Sequence, residues 1–576
     1  MSKKLLNSPE NCVDEMLDGL VRAHPGLCLH VNNRVILRKE WACDKNKVAL
    51  ICGGGSGHEP FAGGFVGAGM LNAAVAGSVF ASPPTENVLH AIRCLAEGNE
   101  VGTLVFIANY TGDCLNFGLA VEKAKSEGLK VGSIVLGEDC ALMGQESSVG
   151  RRGMCGMAFI FKIAGAMSEE GRSFDEIVDT VNAILQNLAT FGVCLSACSL
   201  PGSGPLFKVG KDEMELGLGV HGEAGIKRVK MCTAEETVKI MLDAIIKTLK
   251  LKSSDDVAVF LNNLGGTSKL EQWVVAGEVH KQLTAHGIVV QRLYAGCIMT
   301  SLEMNGVQIS ILKLHKGNWL KYLDAETKAC GWPGSPLSVP PTAVKDSPLS
   351  EQPKEEMKLQ GPVLSSEGCK ILERCLRAAS EALISNENRL NELDSACGDG
   401  DTGTTLRRMG DGIINHLSKL AVTHPSTLMK QLSSVAEKTM GGTSGALYSL
   451  LLTMAGMALE SESTGVTVKS WTQAWRASIN GTLRYSQAKP GDRSMFDALL
   501  PACDAFESHK PITWAQGIKA LESAVKAAQE GCEKTRDMKP RVGRACYVDT
   551  SYITDVDAGA YGVTVWLKAV FNELKK

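Results

Sequence analysis

Short apolar runs that end in glycine-rich or polar loops alternate with helical patterns from about residue 20 to residue 330. Clear examples are residues 48–51 before GGGSGHEP, 104–107 before NYTGD, 134–136 before GED and 257–261 before NNLGG. Apolar runs without alternation are typical of strands that are buried on both faces, as in α/β folds. Because more than about 300 residues is large for one core, we expect two α/β lobes, with ligand sites beyond the carboxyl ends of the strands.

A proline-rich stretch separates this region from a helical one. Seven of the 19 prolines lie between Pro333 and Pro362, and such a composition buries too little apolar surface to order itself. Helical periodicity then dominates to the end, as in residues 368–384 and 514–530. We therefore predict an α/β domain over residues 1–334, a linker over 335–362 and an all-α domain over 363–576.

Composition narrows the classes of function. Apolar residues make up 44% and charged residues 21% of the 576, which is ordinary for a globular protein. A net charge of -3 gives no basic field to hold nucleic acid or an anionic membrane, so we expect a small-molecule ligand. There is no N-terminal signal pattern and no apolar run of about 18 residues, and the 19 cysteines form no CxxC pair. These features favour a cytoplasmic protein that is neither secreted nor membrane-spanning.

Asp394, Asp399 and Asp401 lie within eight residues of one another, with glycines between them, just before a helical pattern. Three carboxylates so close together would repel one another without a cation, and the glycines let the chain turn so that they converge. Hard oxygen ligands without a nearby thiolate pair suit Mg²⁺. Free N–H groups at the start of the following helix face the same place, so the stretch predicts a magnesium and phosphate site.

Two other interpretations of this stretch are a solvated acidic turn and a calcium loop. An EF-hand needs a glutamate at the twelfth position of its loop. Counting from Asp394 or Asp399 reaches Thr405 or Gly410 instead. The EF-hand is therefore excluded, and the acidic turn stays open.

The glycine-rich stretch GGGSGHEP, residues 53–60, follows a predicted buried strand. It is not a P-loop, because no GK[ST] follows, and it is not GxGxxG, because His58 replaces the last glycine. Backbone amides, Ser56 and His58 could contact a small polar ligand there, and a tight turn with His58 bonded to backbone is the alternative. The NYTGD stretch ends the next strand, where Asp113 could act as a general base or only cap a turn.

Residues 217–225, GLGVHGEAG, contain a formal GxGxxG from Gly217 to Gly222. A dinucleotide site needs a buried strand before this motif, and KDEMEL at residues 211–216 is too polar for one, so we do not expect NAD. The stretch presents His221 among small residues with Glu223 nearby, which leaves one face of the imidazole open to a ligand. A histidine satisfied within a core is the alternative.

These stretches, followed by GDGDTG, MGGTSGALY at residues 440–448 and PGDRSMFDAL at 490–499, resemble the dihydroxyacetone kinase family over nearly the whole chain. The resemblance implies a two-lobed α/β, DhaK-like domain that binds the triose and an all-α, DhaL-like helical barrel that binds the nucleotide. It implies that His221 captures the triose carbonyl as a hemiaminal, so that glycerol, which lacks a carbonyl, is rejected. The implied acid–base pair is Asp113 and His58, and the implied substrate loop is Gly55, Ser56 and Gly57.

In the second domain the resemblance implies that Asp394, Asp399 and Asp401 bind Mg²⁺ at the nucleotide phosphates. The nucleotide-binding residues that it implies are Asp401, Thr402, Gly403, Thr404, Thr443, Ser444, Gly445, Asp492, Arg493, Asp557, Ala558 and Gly559. A close-packed helix start is the alternative interpretation of Ser444. One departure is Ala108, where related sequences usually carry a lysine before NYTGD, so that one ammonium contact to substrate or phosphate is missing.

Three functional hypotheses follow from the resemblance. The first is ATP-dependent phosphorylation of dihydroxyacetone and D-glyceraldehyde by a homodimer that uses Mg²⁺. The second is a lyase that splits FAD into AMP and cyclic FMN in the same nucleotide site with Mn²⁺ or Co²⁺. The third is a non-catalytic binding or regulatory homologue, against which His221, Asp113 and the three aspartates argue. A phosphotransferase-coupled form with separate subunits and a held ADP is a weaker alternative, because the two domains are fused here.

Overall fold

The chain forms two compact units, Met1–Thr342 and Ala343–Lys576, in a computed structural model. The residues that the structure describes are 3–141, 150–314, 319–334, 358–395, 398–462, 465–486, 488–541 and 555–576. The predicted linker falls largely on residues 335–357, outside the described residues, so its boundaries stay a prediction.

The N-terminal unit contains two six-stranded sheets among its described residues. Its strands are β1 (Leu27–His30), β2 (Val35–Arg38), β3 (Ala49–Ser56), β4 (Ala73–Val79), β5 (Thr103–Ala108), β6 (Val131–Leu136), β7 (Leu188–Cys194), β8 (Glu213–Leu216), β9 (Lys227–Lys230), β10 (Asp256–Asn263), β11 (Val289–Gly296) and β12 (Gly306–Lys313). The first sheet has the order β1-β2-β4-β3-β5-β6 and the second β11-β10-β12-β7-β8-β9. The predicted two-lobed α/β class is confirmed.

Helices cover these sheets and fill the space between them. They are α1 (Cys12–Ala23), α2 (Thr85–Ala96), α3 (Thr111–Ser126), α4 (Met157–Glu169), α5 (Phe174–Gln186), α6 (Ala234–Leu249), α7 (Lys269–Ala285) and α8 (Trp319–Asp324). Helix α4 is buried along nearly its whole length, and its side chains share one apolar cluster with residues of both sheets, such as Phe106 and Phe260. A helix that is apolar all round suits this central position.

Two predictions about strand boundaries are wrong. Strand β3 does not stop before the glycines but runs through Ser56, because a Cβ at Gly53 would lie only 2.3 Å from the Val75 carbonyl oxygen of the paired strand β4. The polar KDEMEL segment does contain a strand, β8, whose Glu215 is buried and paired with Arg228 at 2.6 Å. The dinucleotide site is still not supported, since β8 continues into the antiparallel strand β9 rather than into a helix.

The described part of the C-terminal unit is all-helical, as predicted. Its helices are α9 (Ser366–Ser385), α10 (Glu387–Ser395), α11 (Thr402–His416), α12 (Pro425–Thr439), α13 (Gly442–Glu460), α14 (Val468–Leu483), α15 (Phe496–Ser508), α16 (Trp514–Lys534) and α17 (Ala558–Leu574). From α11 to α17 each helix packs against the next, and both α11 and α17 pack against α9. The ring is therefore closed, which makes this unit a helical barrel.

Helix α13 is long and apolar enough to cross a membrane by length and composition alone. It packs between α12 and α14 in the barrel, and Gly445, Ser449 and Leu451 are buried there. Core helices of globular proteins commonly pass the same compositional test, so this finding adds no membrane function.

The close approach of β3 and β4 gives a test of the fold. We expect Gly53→Ala to destabilise the N-terminal unit by about 1–3 kcal/mol, because the new methyl overlaps the Val75 carbonyl. Gly118→Ala in α3 is the matched control, since no atom lies within 4 Å of its Cβ position. That variant should be neutral or more stable by up to about 1 kcal/mol. Calorimetric unfolding of both proteins measures the difference, and equal transition temperatures would contradict the packing described.

Candidate active site

His58 lies just beyond β3 and is almost completely buried. Its Nδ1 lies 2.9 Å from the carbonyl oxygen of Thr300, and because a carbonyl only accepts, Nδ1 carries the proton. The other nitrogen, Nε2, is buried without a hydrogen-bond partner among the described residues. Burial and then the neighbouring His221 lower the pKa of His58 to about 3, so the ring is neutral and Nε2 offers a lone pair.

Asp113 lies in the first turn of α3, beyond the carboxyl end of β5. It is 5% exposed, and its Oδ1 has no hydrogen-bond partner among the described residues. Burial raises the pKa of Asp113 to about 6, and the nearby Ser82 hydroxyl opposes this only in part. A Cβ at Gly54 would lie 3.7 Å from Asp113 Oδ2, so the carboxyl faces the glycine-rich end of β3. Such a carboxyl can accept a proton from a hydroxyl near neutral pH.

His221 lies on the connection between β8 and β9, and its ring meets the ring of His58 edge-on at 4.8 Å between centroids. Tyr110 and Phe80 surround the same imidazole, with centroid distances of 4.4 and 5.7 Å. Burial lowers the pKa of His221, while the charge of Glu223 opposes the shift. The imidazole is therefore neutral near pH 7, which leaves a nitrogen lone pair for addition to a carbonyl carbon.

An ion-pair network fixes the segment that carries His221. Glu223 accepts a hydrogen bond from the backbone N–H of His221 at 2.8 Å and another from Arg152 at 3.1 Å. Arg152 also donates to the buried Asp139 at 2.8 Å and to the carbonyl oxygen of Gly217 at 2.9 Å. These contacts hold the backbone of His221 in place without engaging its ring.

Two polar groups of the predicted substrate loop already have hydrogen-bond partners within the protein. The Ser56 hydroxyl donates to the carbonyl oxygen of Gly77 at 2.8 Å, and the Gly57 N–H donates to Glu59 at 3.0 Å. A Cβ at Gly55 would lie 2.8 Å from the Ala81 nitrogen, so only glycine fits there. The three residues thus shape a narrow space beside Asp113 and His58. Ala108 ends β5 with its methyl group in the apolar core.

In the C-terminal unit, carboxylate oxygens of Asp394, Asp399 and Asp401 all lie within 4.8 Å of one another. Asp394 Oδ2 accepts hydrogen bonds from the backbone N–H groups of Asp401 at 3.0 Å and Thr402 at 3.3 Å. Convergent hard oxygens on a part-exposed surface fit a site for Mg²⁺ or Mn²⁺. The sequence prediction that these three residues converge is therefore confirmed by their positions, whereas their metal-binding role remains a prediction.

Helix α11 is held against α10 at this cluster. A Cβ at Gly403 would lie 2.0 Å from the Glu387 carbonyl oxygen, which explains glycine at this point. Thr404 accepts from Asn391 at 3.0 Å and donates to Glu387 at 3.1 Å. The N-terminus of α11 and its first N–H groups therefore lie next to the aspartates, where they can face a phosphate.

Asp557 caps α17 by accepting from the Ala560 N–H at 2.8 Å, and Ala558 and Gly559 form the first turn of that helix. Burial raises the pKa of Asp557 to about 6, the charge of Arg493 opposes this rise, and the charges of Asp497 and Asp394 add to it. Sequence reasoning did not single out Asp497, although it belongs to the PGDRSMFDAL stretch.

Arg493 is only 3% exposed, and its guanidinium donates to the carbonyl oxygens of Thr535 and Asp555 at 3.1 and 2.8 Å. The Asp492 carboxylate accepts from the Lys489 N–H at 2.7 Å. These contacts hold the segment before Asp557 in place, and the nucleotide contact expected of both residues stays a prediction. Thr443 and Ser444 lie in the first turn of α13, after Gly441 and Gly442, which both have positive φ, and Gly445 is buried.

Three residues around His58 and His221 were not predicted from the sequence. Tyr110 belongs to the NYTGD stretch, and its closeness in sequence to Asp113 could have identified it as a candidate site residue. Phe80 and Thr300 come from distant segments, and nothing in their local sequence connects them with His58.

Comparison with known proteins covers both units. A Dak1 domain model matches residues 18–331 and a DAK2 domain model matches residues 396–572. The chain is 40% identical to the triokinase/FMN cyclase of Homo sapiens over the full length of both proteins. Among solved structures, the native dihydroxyacetone kinase of C. freundii matches with a TM-score of 0.67 and 30% identity, over 99% of this chain and 100% of that one.

The same bacterial kinase has also been solved in complex with AMP-PNP and Mg²⁺. That structure matches with a TM-score of 0.66 and 30% identity, over 99% of this chain and all of the other. The matches cover both units and agree with the two-lobed α/β domain and the helical barrel described above. The chain belongs to the dihydroxyacetone kinase family.

Proposed function

We propose that the protein phosphorylates dihydroxyacetone and D-glyceraldehyde with ATP and also splits FAD into AMP and cyclic FMN. The single observation that carries the kinase proposal is the pair of neutral imidazoles in edge-to-face contact, His58 and His221, at a glycine-rich strand end that also faces the buried carboxyl of Asp113. The names of full-length relatives, which combine triokinase and FMN cyclase, support both activities.

The triose is captured covalently in this proposal. A nitrogen lone pair of His221 adds to the carbonyl carbon and the carbonyl π electrons move to oxygen. That oxygen takes a proton as the other ring nitrogen of His221 releases one, which gives a neutral hemiaminal. The buried His58 contributes a hydrogen-bonding lone pair at Nε2 beside the reacting atoms. Glycerol lacks a carbonyl and forms no such adduct, so selection rests on chemistry rather than on size.

Phosphoryl transfer follows on the captured triose. Asp113 removes the proton of the substrate hydroxyl, whose oxygen attacks the γ-phosphorus of ATP as ADP leaves. Asp394, Asp399 and Asp401 would hold Mg²⁺, which supplies charge neutralisation at the phosphates when bound. The N–H groups at the start of α11 and the hydroxyls of Thr402 and Thr443 are the proposed contacts to the nucleotide.

The FAD reaction uses the nucleotide site alone in this proposal. A hydroxyl of the ribityl chain attacks the phosphorus on the FMN side of the pyrophosphate, a cyclic ester forms, and AMP leaves. Mn²⁺ or Co²⁺ would occupy the same aspartates, whose oxygen ligands accept these ions as well as Mg²⁺. Neither His221 nor Asp113 takes part, so the two activities can be separated by mutation.

The assembly and location of the protein are part of the same proposal. We expect a cytosolic homodimer that binds small molecules and neither nucleic acid nor membrane. Sedimentation of the purified protein would give twice the 61.4 kDa chain mass for a dimer, and cell fractionation would test the location.

The covalent role of His221 predicts a selective loss. We expect His221→Ala to lower triose-dependent ADP formation on the order of 10²-fold or more, because the triose is then held by noncovalent contacts only. FAD cleavage by this variant should equal that of the unmutated protein. His286→Ala, which removes an exposed histidine after α7, is the matched control and should leave both activities unchanged. Equal losses of both activities in His221→Ala would contradict the assignment.

The raised pKa of Asp113 predicts an acid limb in the kinase reaction. The base must be ionised, so kcat/KM for the triose should fall about tenfold per pH unit below pH 6. Asp557 also has a pKa of about 6. It lies in the C-terminal unit, which serves both proposed reactions, so its titration would change the rate of FAD cleavage as well as that of the kinase reaction. A limb near pH 6 that appears for the triose reaction alone supports Asp113. A flat profile above pH 5 would exclude it as the base.

The aspartate cluster predicts a joint loss of both activities. Asp394→Asn should reduce kinase and lyase turnover on the order of 10²–10³-fold, since charge on the phosphates is no longer neutralised. Asp411→Asn, a change in a half-buried aspartate that pairs with Arg407 on α11, is the control and should preserve both activities. A variant Asp394→Asn that keeps lyase turnover while losing kinase turnover would refute a shared metal site.

A further inference from the structure

A second cluster of metal-ligating side chains lies in the N-terminal unit, in addition to the residues assigned to the triose. His30 is the last residue of β1, and His90 and Cys94 stand four positions apart on α2, so they share one face of that helix. One ligand atom from each lies within 4.8 Å of the other two. All three side chains are part-buried, which leaves the cluster reachable from solvent.

We propose that His30 Nδ1, His90 Nε2 and Cys94 Sγ form a binding site for a zinc-class transition metal ion. Two imidazole nitrogens and a thiolate are the donor set that Zn²⁺ and Co²⁺ prefer, in contrast to the all-oxygen set of Asp394, Asp399 and Asp401. None of the three residues takes part in the proposed kinase or lyase chemistry. The site is therefore independent of the proposed function.

The distances are close to those of a tetrahedral centre. Cys94 Sγ lies 3.7 Å from His90 Nε2 and 3.9 Å from His30 Nδ1, and the two nitrogens are 2.9 Å apart. Bonds of about 2.3 Å to sulfur and about 2.0–2.1 Å to nitrogen give sulfur–nitrogen separations of about 3.6 Å and a nitrogen–nitrogen separation of about 3.4 Å at tetrahedral angles. Binding thus requires the imidazoles to separate by about half an ångström, which small ring rotations provide.

The surroundings of the cluster favour this arrangement. The indole ring of Trp41 meets the ring of His30 edge-on at 5.6 Å, which limits the orientations of that imidazole. Lys45 donates to the backbone carbonyl of Cys94 at 2.6 Å, so its ammonium is directed to the backbone oxygen. Cys28 lies two residues before His30, on the same face of β1, and is the candidate for a fourth ligand.

A bound ion would connect the edge strand β1 to α2. Strand β1 is four residues long and pairs only with β2 in the sheet order, so it has few other anchors. The ion would cross-link His30 of β1 and His90 of α2, which are 60 residues apart in sequence. Metal binding to the folded state alone raises stability by mass action, so the unfolding temperature should rise with Zn²⁺.

The alternative is a hydrogen bond between two neutral imidazoles with a nearby thiol and no metal. Absorption spectroscopy with Co²⁺ distinguishes a metal site from a metal-free hydrogen bond. A thiolate ligand produces a ligand-to-metal charge-transfer band, whereas oxygen ligands do not produce one. The full chain is stripped of metal under reducing conditions and titrated with Co²⁺ in excess Mg²⁺, which occupies the aspartates. We expect a thiolate band that saturates at one equivalent per chain and disappears on addition of Zn²⁺.

Variants then assign the ligands. We expect His90→Ala and Cys94→Ser to weaken Zn²⁺ binding by more than about tenfold, since even outer-shell partners of metal ligands commonly contribute that much. Cys43→Ser removes an exposed cysteine outside the cluster and should change nothing. A loss of thiolate intensity in Cys28→Ser would identify the fourth ligand. Absence of the thiolate band in the unmutated protein would overturn the proposal even if a variant misfolds. A band that persists in a folded Cys94→Ser protein would also overturn it.

Discussion

The close approach of backbone at the glycine-rich end of β3 is the constraint on which the proposed triose site depends. No side chain separates this strand end from Asp113 on one side or from the segment around Ala81 on the other. His58 therefore turns inward beneath Thr300 and loses contact with water. The same desolvation lowers the pKa of the imidazole and raises that of the carboxyl, so geometry and proton affinity have one physical origin.

In the C-terminal unit, hydrogen bonds between neighbouring segments position the three aspartates. Asp394 lies in the last turn of α10 and accepts hydrogen bonds from the backbone N–H groups at the start of α11, so one side chain joins the two helices. The N-terminus of α11 and the three carboxylates therefore converge without a contact between distant segments. The proposed triose site is assembled from segments up to 242 residues apart, as the contact of His58 with Thr300 shows. The aspartate cluster is therefore built from residues that are close in sequence, whereas the site around His58 is built from distant segments.

This difference explains what could be predicted from sequence. The apolar runs that became β3, β5 and β10 and the convergence of the three aspartates follow from local patterns. Strand β8 was missed because the charge of Glu215 suggests exposure, whereas the fold supplies Arg228 to pair with it. Tyr110, Phe80 and the His30 cluster depend on contacts between distant segments, and composition or periodicity carries no signal of such contacts.

The proposed separation of two activities in one chain follows from the same division. In that proposal the residues of the N-terminal unit act only on the triose, whereas the aspartates serve both reactions at a phosphate. Fusion of both units in one chain keeps the partners of phosphoryl transfer at a high effective concentration.

The covalent capture of the triose by His221 is tested most directly by ¹³C NMR of the protein with dihydroxyacetone labelled at its carbonyl carbon, without nucleotide. We expect the bound carbon to shift from the ketone region to that of a saturated carbon bearing oxygen and nitrogen. The shifted signal should be absent in His221→Ala. A bound triose that keeps its ketone signal in the unmutated protein would contradict the capture mechanism.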